Sequence, residues 1–237
     1  MINRKLIGAR YFYESYKTYR NKTMSYNSAR DYDGHGTHTL ATAAGNFVSG
    51  VSVFGNGNGT ASGASPNARV VSYKALWEEF GYDADILAAF EAAIADGVDV
   101  LSVSLGGLTP PDYWMDSLSI GSFHAFLNGL VVVNAAGNNG PTPYSVANNA
   151  PWVITVGAST TDREFTNFVT LGDNTTLQGV SISMFGLSSQ ELYPLINASD
   201  AKADNPSSKY AYVCDKTSID PKKIRGKILI CFTGIDD

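Results

Sequence analysis

The sequence predicts an α/β fold built on a parallel sheet, and three observations carry that expectation. Strand-like and helix-like segments alternate from residue 69 to 135, the order that lays helices over parallel strands. Within that stretch "DADILAAFEAAIADG" sets Ile86, Phe90 and Ile94 at helical spacing. The run that follows, "VDVLSVSLGG", is almost continuously apolar, as in a strand covered on both faces.

Each element has its own justification. "THTLATAAGNF" puts Leu40, Ala43, Ala44 and Phe47 on one helical face, so a helix is expected to start at His35 with its back to a core. "ARVVSYKAL" is rich in β-branched residues and reads as a strand. The helix after it takes Asp83 or Asp85 as N-cap and Gly97 as its stop. "DSLSIGSFHAFLNG" reads as the next helix, and "LVVVNAAGNNGP" as a strand breaking into a turn-rich loop. "PWVITVGAST" gives another buried strand, after which "FVTLGDNTTLQGVSISM" changes to short alternating runs around Gly-Asp-Asn, a hairpin signal. From about Ser189 the chain turns polar, with "NASDAKADNPSSK" as a loop, before "KIRGKILICFTG" supplies a final strand with no partner in view.

Composition narrows the function classes. The 237 residues carry a net charge of -5 without long basic runs, which speaks against nucleic acid and anionic membrane surfaces as partners. No stretch approaches the roughly 18 consecutive apolar residues of a membrane span, and the first residues lack the apolar block of a signal peptide. Against that, Asn-x-Ser/Thr sequons occur at Asn21, Asn58, Asn174 and Asn197, a lean toward secretion. Two cysteines, Cys214 and Cys231, lie near the C-terminus.

Three stretches hold residues suited to chemistry. In "DYDGHGTHT", glycines on both sides of His35 let the backbone turn tightly and leave the imidazole open. Read by itself, His35 serves as a base or as a local cap. A zinc site is disfavoured, because His35 and His38 form only a pair where zinc takes three or four protein ligands. In "NAAGNNGP", Asn138 follows Ala135, Ala136 and Gly137 past the end of a strand, the place where open α/β sheets bind ligands. An Asn amide there can stabilise charge on a carbonyl oxygen, although Asn and Gly also make ordinary turns. In "SVSLGG", Gly106 and Gly107 leave a strand end bare, open to an added peptide strand.

The order and spacing of these pieces resemble the subtilisin-like serine proteases, the subtilases or peptidase S8 family, in their plant-type branch. Eight segments carry the resemblance: "NRKLIGARYF", "DYDGHGTHT", "GTASGASPNARVVSYK", "DGVDVLSVSLGG", "IGSFHAFLNG", "AAGNNGP", "APWVITVGASTTDREF" and "DPKKIRGKILIC". The resemblance implies a subtilisin-like parallel sheet with helices on both faces over residues 1–188, present incompletely. It also implies the start of a mostly β protease-associated domain over 189–237. It makes His35 the general base and Asn138 the oxyanion donor; separately, no cofactor and no metal-site residues are expected. Ser104, Leu105, Gly106 and Gly107 become one wall of the substrate cleft, and Ala135, Ala136 and Gly137 the other. The expected partner is a peptide or protein substrate, and the expected location of the complete protein is extracellular, in the apoplast or cell wall. A Cys214–Cys231 disulfide fits a secreted protein.

The mechanism of such enzymes needs an aspartate before the histidine and a serine after it. Asp31 and Asp33 are too close to His35 and read as loop residues, and no Gly-Thr-Ser-Met run occurs between Asn138 and Asp237. The chain is therefore expected to be a fragment, inactive alone. The competing expectation is a non-catalytic peptide-binding or decoy protein that keeps the cleft.

Overall fold

A computed structural model describes residues 4–21, 26–78, 80–107, 111–188 and 191–232; Ser189, the expected start of the second domain, lies outside them. The chain divides into two compact units, residues 1–53 with 57–162 and residues 54–56 with 163–237. In the first, β1 (Leu6–Tyr11) leads into α1 (Glu14–Arg20) and then α2 (His35–Ala44). Strands β2 (Val48–Val53) and β3 (Asn56–Ala61) pair with each other, and β4 (Val70–Lys74) lies parallel to β1. Two-residue strands β5 (Leu76–Trp77) and β6 (Phe80–Gly81) pair before α3 (Asp83–Asp96). Next come β7 (Val100–Val103), α4 (Ser117–Leu127), β8 (Val131–Ala135) and β9 (Ile154–Val156). The last three strands form a parallel sheet in the order β7-β8-β9, with Val103 opposite Asn134 and Ala135 opposite Val156.

The α/β class holds, and α3 ends at Gly97 as its sequence implies. Its start differs. The N-cap is Tyr82, and both Asp83 and Asp85 fall in the first turn. Asp85 is buried and turned to a different helix, accepting from the backbone N–H of Ser15 (3.1 Å) and of Tyr16 (2.9 Å). The N–H groups of a first helical turn have no partner within their own helix, and α1 has no cap of its own, so Asp85 is spent there. Helix α4 is capped by a side chain, with Asp116 accepting from Leu118 and Ser119.

Coverage of the sheet is one-sided. Ile86, Ala89 and Phe90 of α3 and Leu118 and Ala125 of α4 pack with Val132, Leu101 and Val103 into one core. The opposite face carries Val100, Val131, Ile154 and Val156, which are 56%, 46%, 55% and 50% exposed. The apolar run of β7 predicts two covered faces, and among the described residues only one is covered. Every second side chain of a strand points to the other face, and among the described residues these four remain about half exposed.

Helix α2 also differs from expectation, since Leu40 and Ala43 are only half-buried and Ala44 alone is buried. Phe47 lies beyond the helix and is 67% exposed. The chain leaves the helical path at Gly45, whose N–H donates to the Ala41 carbonyl, and Phe47 is thereby carried off the helical face.

In the second unit, β10 (Thr166–Thr170) and β11 (Thr176–Val180) form the expected antiparallel hairpin. Beyond it, β12 (Leu195–Asn197) is followed by a 3-10 helix (Pro206–Val213), α5 (Pro221–Ile224) and β13 (Ile228–Ile230). The final strand has a partner after all, pairing parallel with β12 from Leu195↔Ile228 to Asn197↔Ile230. Part of the stretch read as loop is thus the 3-10 helix, begun by Asn205, whose side chain accepts from the Ser207 N–H. Ala198, Ala201, Ala211 and Ile219 form the buried centre, with Cys214 and Leu229 against it.

Candidate active site

His35 is the first residue of α2 and is exposed. The residue before it, Gly34, occupies φ +107°, a backbone conformation that side chains resist, and it cannot cap the helix with a side chain. Asp31 performs that task from four residues upstream. One carboxylate oxygen accepts from the Gly34 N–H (3.0 Å), and the other from both the N–H and the hydroxyl of Thr37 (2.7 Å each). Burial works to raise the Asp31 pKa, but these donors outweigh it and hold the carboxyl at about 2.

Behind this loop stands a cation held by aromatic rings. Lys74 Nζ, on β4, lies 3.9 Å from the Trp77 ring centre and 5.3 Å from that of Tyr26, and donates to the Arg30 carbonyl at 3.0 Å. Burial lowers the Lys74 pKa, and the nearby Asp31 charge opposes the shift. Trp77 belongs in turn to a buried group with Tyr13 and Tyr16. The backbone at the start of α2 is thus tied through Asp31, and the loop before it through Lys74, to a packed core.

Asp31→Ala is expected to cost about 1 kcal/mol, the usual effect of losing a helix N-cap. Because the folded-state pKa lies below the ordinary 3.8, this contribution is complete above pH 3.8 and fades as pH falls toward 2. Denaturant titrations at several pH values should show the difference between native and variant chains shrinking over that interval. A difference that stays constant to the acid end contradicts this role.

The second cluster forms where β7 and β8 end. Ser104 and Leu105 are half-buried, and Gly106 and Gly107 exposed, directly after β7. Ala135 closes β8, Ala136 donates to the Val156 carbonyl (2.9 Å) and accepts from the Ala147 N–H (2.8 Å), and Asn138 is exposed in the loop beyond. Between the two segments lies Asn148, 7% exposed. Its Nδ2 donates to the carbonyls of both Leu105 (2.7 Å) and Ala135 (2.8 Å). Its own carbonyl accepts from the Thr155 hydroxyl at 2.6 Å.

The structure therefore joins Leu105 to Ala135, and among the described residues no hydrogen bond or ring contact joins His35 to Asn138. His38 is exposed on α2, where its carbonyl accepts from Thr42 Oγ1. Cys214 and Cys231 are bonded to each other. Of the sequons, Asn21 ends α1 and is exposed, Asn58 is exposed in β3, and Asn174 is exposed in the β10–β11 turn. Asn197 differs: it is half-buried at the end of β12, and its Oδ1 accepts from the Ser199 N–H at 2.9 Å. Among the described residues no three His, Cys, Asp or Glu side chains group as a metal site, and no helix is long and apolar enough to cross a membrane.

Two residues escape sequence reasoning. Asp31 carried a signal, an acidic side chain ahead of Gly-His-Gly-Thr with Thr37 in reach. Asn148 carried none, because "NNAPW" reads as turn chemistry and the carbonyls it meets are remote in sequence.

These observations describe an α/β protein with an exposed histidine at a capped helix start and two strand ends tied into one rim. Residues 2–219 match the family described as the Subtilase family, and the chain belongs to it. It is 56% identical to the subtilisin-like protease SBT5.4 of Arabidopsis thaliana over 98% of this chain and 30% of that protein. Subtilisin-like protease SBT5.3 of the same plant is 53% identical over 98% of this chain and 31% of its own length. The CO(2)-response secreted protease of Arabidopsis thaliana is 43% identical over 97% and 29%. The chain thus spans under a third of the length of these relatives. Among solved structures, sphericase aligns with 67% of this chain and 48% of its own at 27% identity and a TM-score of 0.43.

Proposed function

We propose that these 237 residues are the histidine-bearing part of a secreted serine endopeptidase. The observation that carries this reading is His35, set at the start of α2 by Asp31, in a chain of the Subtilase family. His35 is the general base that takes the proton from the attacking serine and returns it to the leaving amine. Asn138 donates its side-chain amide to the oxygen of the tetrahedral intermediate, where negative charge develops. Ser104 to Gly107 and Ala135 to Gly137 are the walls between which the peptide lies. Residues 1–188 are peptidase domain and 189–237 the first part of a protease-associated domain. The triad's aspartate and serine are supplied by sequence outside these residues, and the chain is inactive alone.

Sequencing the transcript on both sides tests this directly. An Asp-Thr-Gly type motif upstream and Gly-Thr-Ser-Met downstream are expected. Stop codons close to both ends would instead make the product a peptide-binding decoy that keeps the cleft.

Secretion is supported by the name of one relative, the CO(2)-response secreted protease, and by the sequons. Expressed through a secretory pathway, the chain should carry glycans at Asn174 and Asn58, which are exposed in a turn and a hairpin strand. Asn197, which is half-buried at the end of β12, should remain bare. Glycopeptide mass spectrometry reads occupancy site by site, and full occupancy at Asn197 would contradict the assignment.

A further inference from the structure

The geometry points to Asn148 as the positioning residue of the substrate cleft: its side-chain amide clamps the two walls at a fixed separation. This rests on the peptidase reading above. The register of β7 with β8 ends at Val103 opposite Asn134. Past that point no further register pair joins the two strands among the described residues, and each continues into a proposed cleft wall. The Asn148 amide fills the opening, with one hydrogen to the Leu105 carbonyl and one to the Ala135 carbonyl.

Only the NH₂ end of an asparagine can meet two carbonyl oxygens, and it has two donors to give. The rest of the residue is fixed to match. Its main-chain carbonyl accepts from the Thr155 hydroxyl, and its backbone stands at φ +54°, a conformation that asparagine tolerates better than most residues. Its neighbour Ala147 donates to Ala136 within the second wall. On the first wall, a Cβ at Gly106 would stand 3.3 Å from Asn148 Nδ2, a tight approach that the bare backbone relieves. Asn148 touches the walls through their carbonyls and acts on a bound peptide through them.

Two substitutions separate the amide from the backbone. Asn148→Gly keeps the left-handed conformation and removes the clamp. Asn148→Asp keeps the shape but turns a carboxylate toward two carbonyl oxygens. The probe is a fluorescein-labelled tetrapeptide of apolar residues, titrated into the 237-residue chain by fluorescence anisotropy. The native chain should bind it, and both variants should bind at least about tenfold more weakly at neutral pH. The polar partners of Asn148 are all uncharged, so acidification toward about pH 5 should restore part of the affinity to Asn148→Asp alone. The buried carboxyl then regains an O–H donor. A lost packing role would not recover with pH.

NMR exchange of the Asn148 side-chain amide reads the clamp without a ligand, and slow exchange is expected. Rapid exchange, or peptide affinity unchanged in both variants, overturns the positioning role. A native chain with slow exchange that binds no peptide overturns the peptidase cleft, and the positioning role falls with it while the clamp stands.

Discussion

Treated with a fluorophosphonate probe, the 237-residue chain is expected to remain unlabelled and to release no product from peptide substrates above the blank. The reaction needs a serine hydroxyl whose proton passes to a histidine, itself oriented by an aspartate. His35 is present, but Asp31, four positions before it, is committed to Gly34 and Thr37 as a cap. The serine in a context nearest to a nucleophile motif, Ser183 in "SISMFG", lies in the other compact unit. Its hydroxyl is engaged with the backbone of Phe185. In a bacterial subtilisin, loss of the nucleophile lowers kcat by about 10⁶, a magnitude established for that enzyme. A loss of that size places this chain at background, and covalent labelling of any serine would sink the expectation.

The second large effect concerns the Cys214–Cys231 bond, which closes a loop of 17 positions. Constraining an unfolded loop of about this size is worth about 3 kcal/mol. The small core of the second unit depends on it, since Cys214 packs against buried Ala198, Ala201, Ala211 and Ile219. Reduction, or paired replacement of both cysteines by alanine, should lower the denaturation midpoint of this unit while α3 and α4 in the other unit keep their amide protection. Hydrogen exchange with and without reductant makes the comparison. Identical protection around Ala201 and Ala211 under both conditions would remove the disulfide from any stabilising role.

The parts of the fold legible in the sequence are those with enough residues to express a period. Helix α3, with 14 residues, announces itself through Ile86, Phe90 and Ile94, and the β10–β11 hairpin through its Gly-Asp-Asn turn. Strand β12, with three residues, is too short to show alternation, so its pairing with β13 could not be read. The Asp83 or Asp85 cap was misplaced because capping rules see only the neighbouring helix, while Asp85 serves α1, about seventy positions upstream. The histidine motif was equally plain, and its support was not. Lys74 reaches Arg30 across 44 positions, and Asn148 reaches Leu105 across 43. No local pattern encodes a hydrogen bond of that span.

The one-sided coverage of β7, β8 and β9 bears on how the molecule behaves in bulk. Attraction between apolar surfaces strengthens as water warms from the cold and as sulfate or phosphate is added. With Val100, Val131, Ile154 and Val156 about half exposed, contacts between copies are expected to limit the concentration the chain reaches. The chain is therefore handled best cold, dilute and free of salting-out anions, and a hydrophobic chromatography resin should retain it through this side of the sheet.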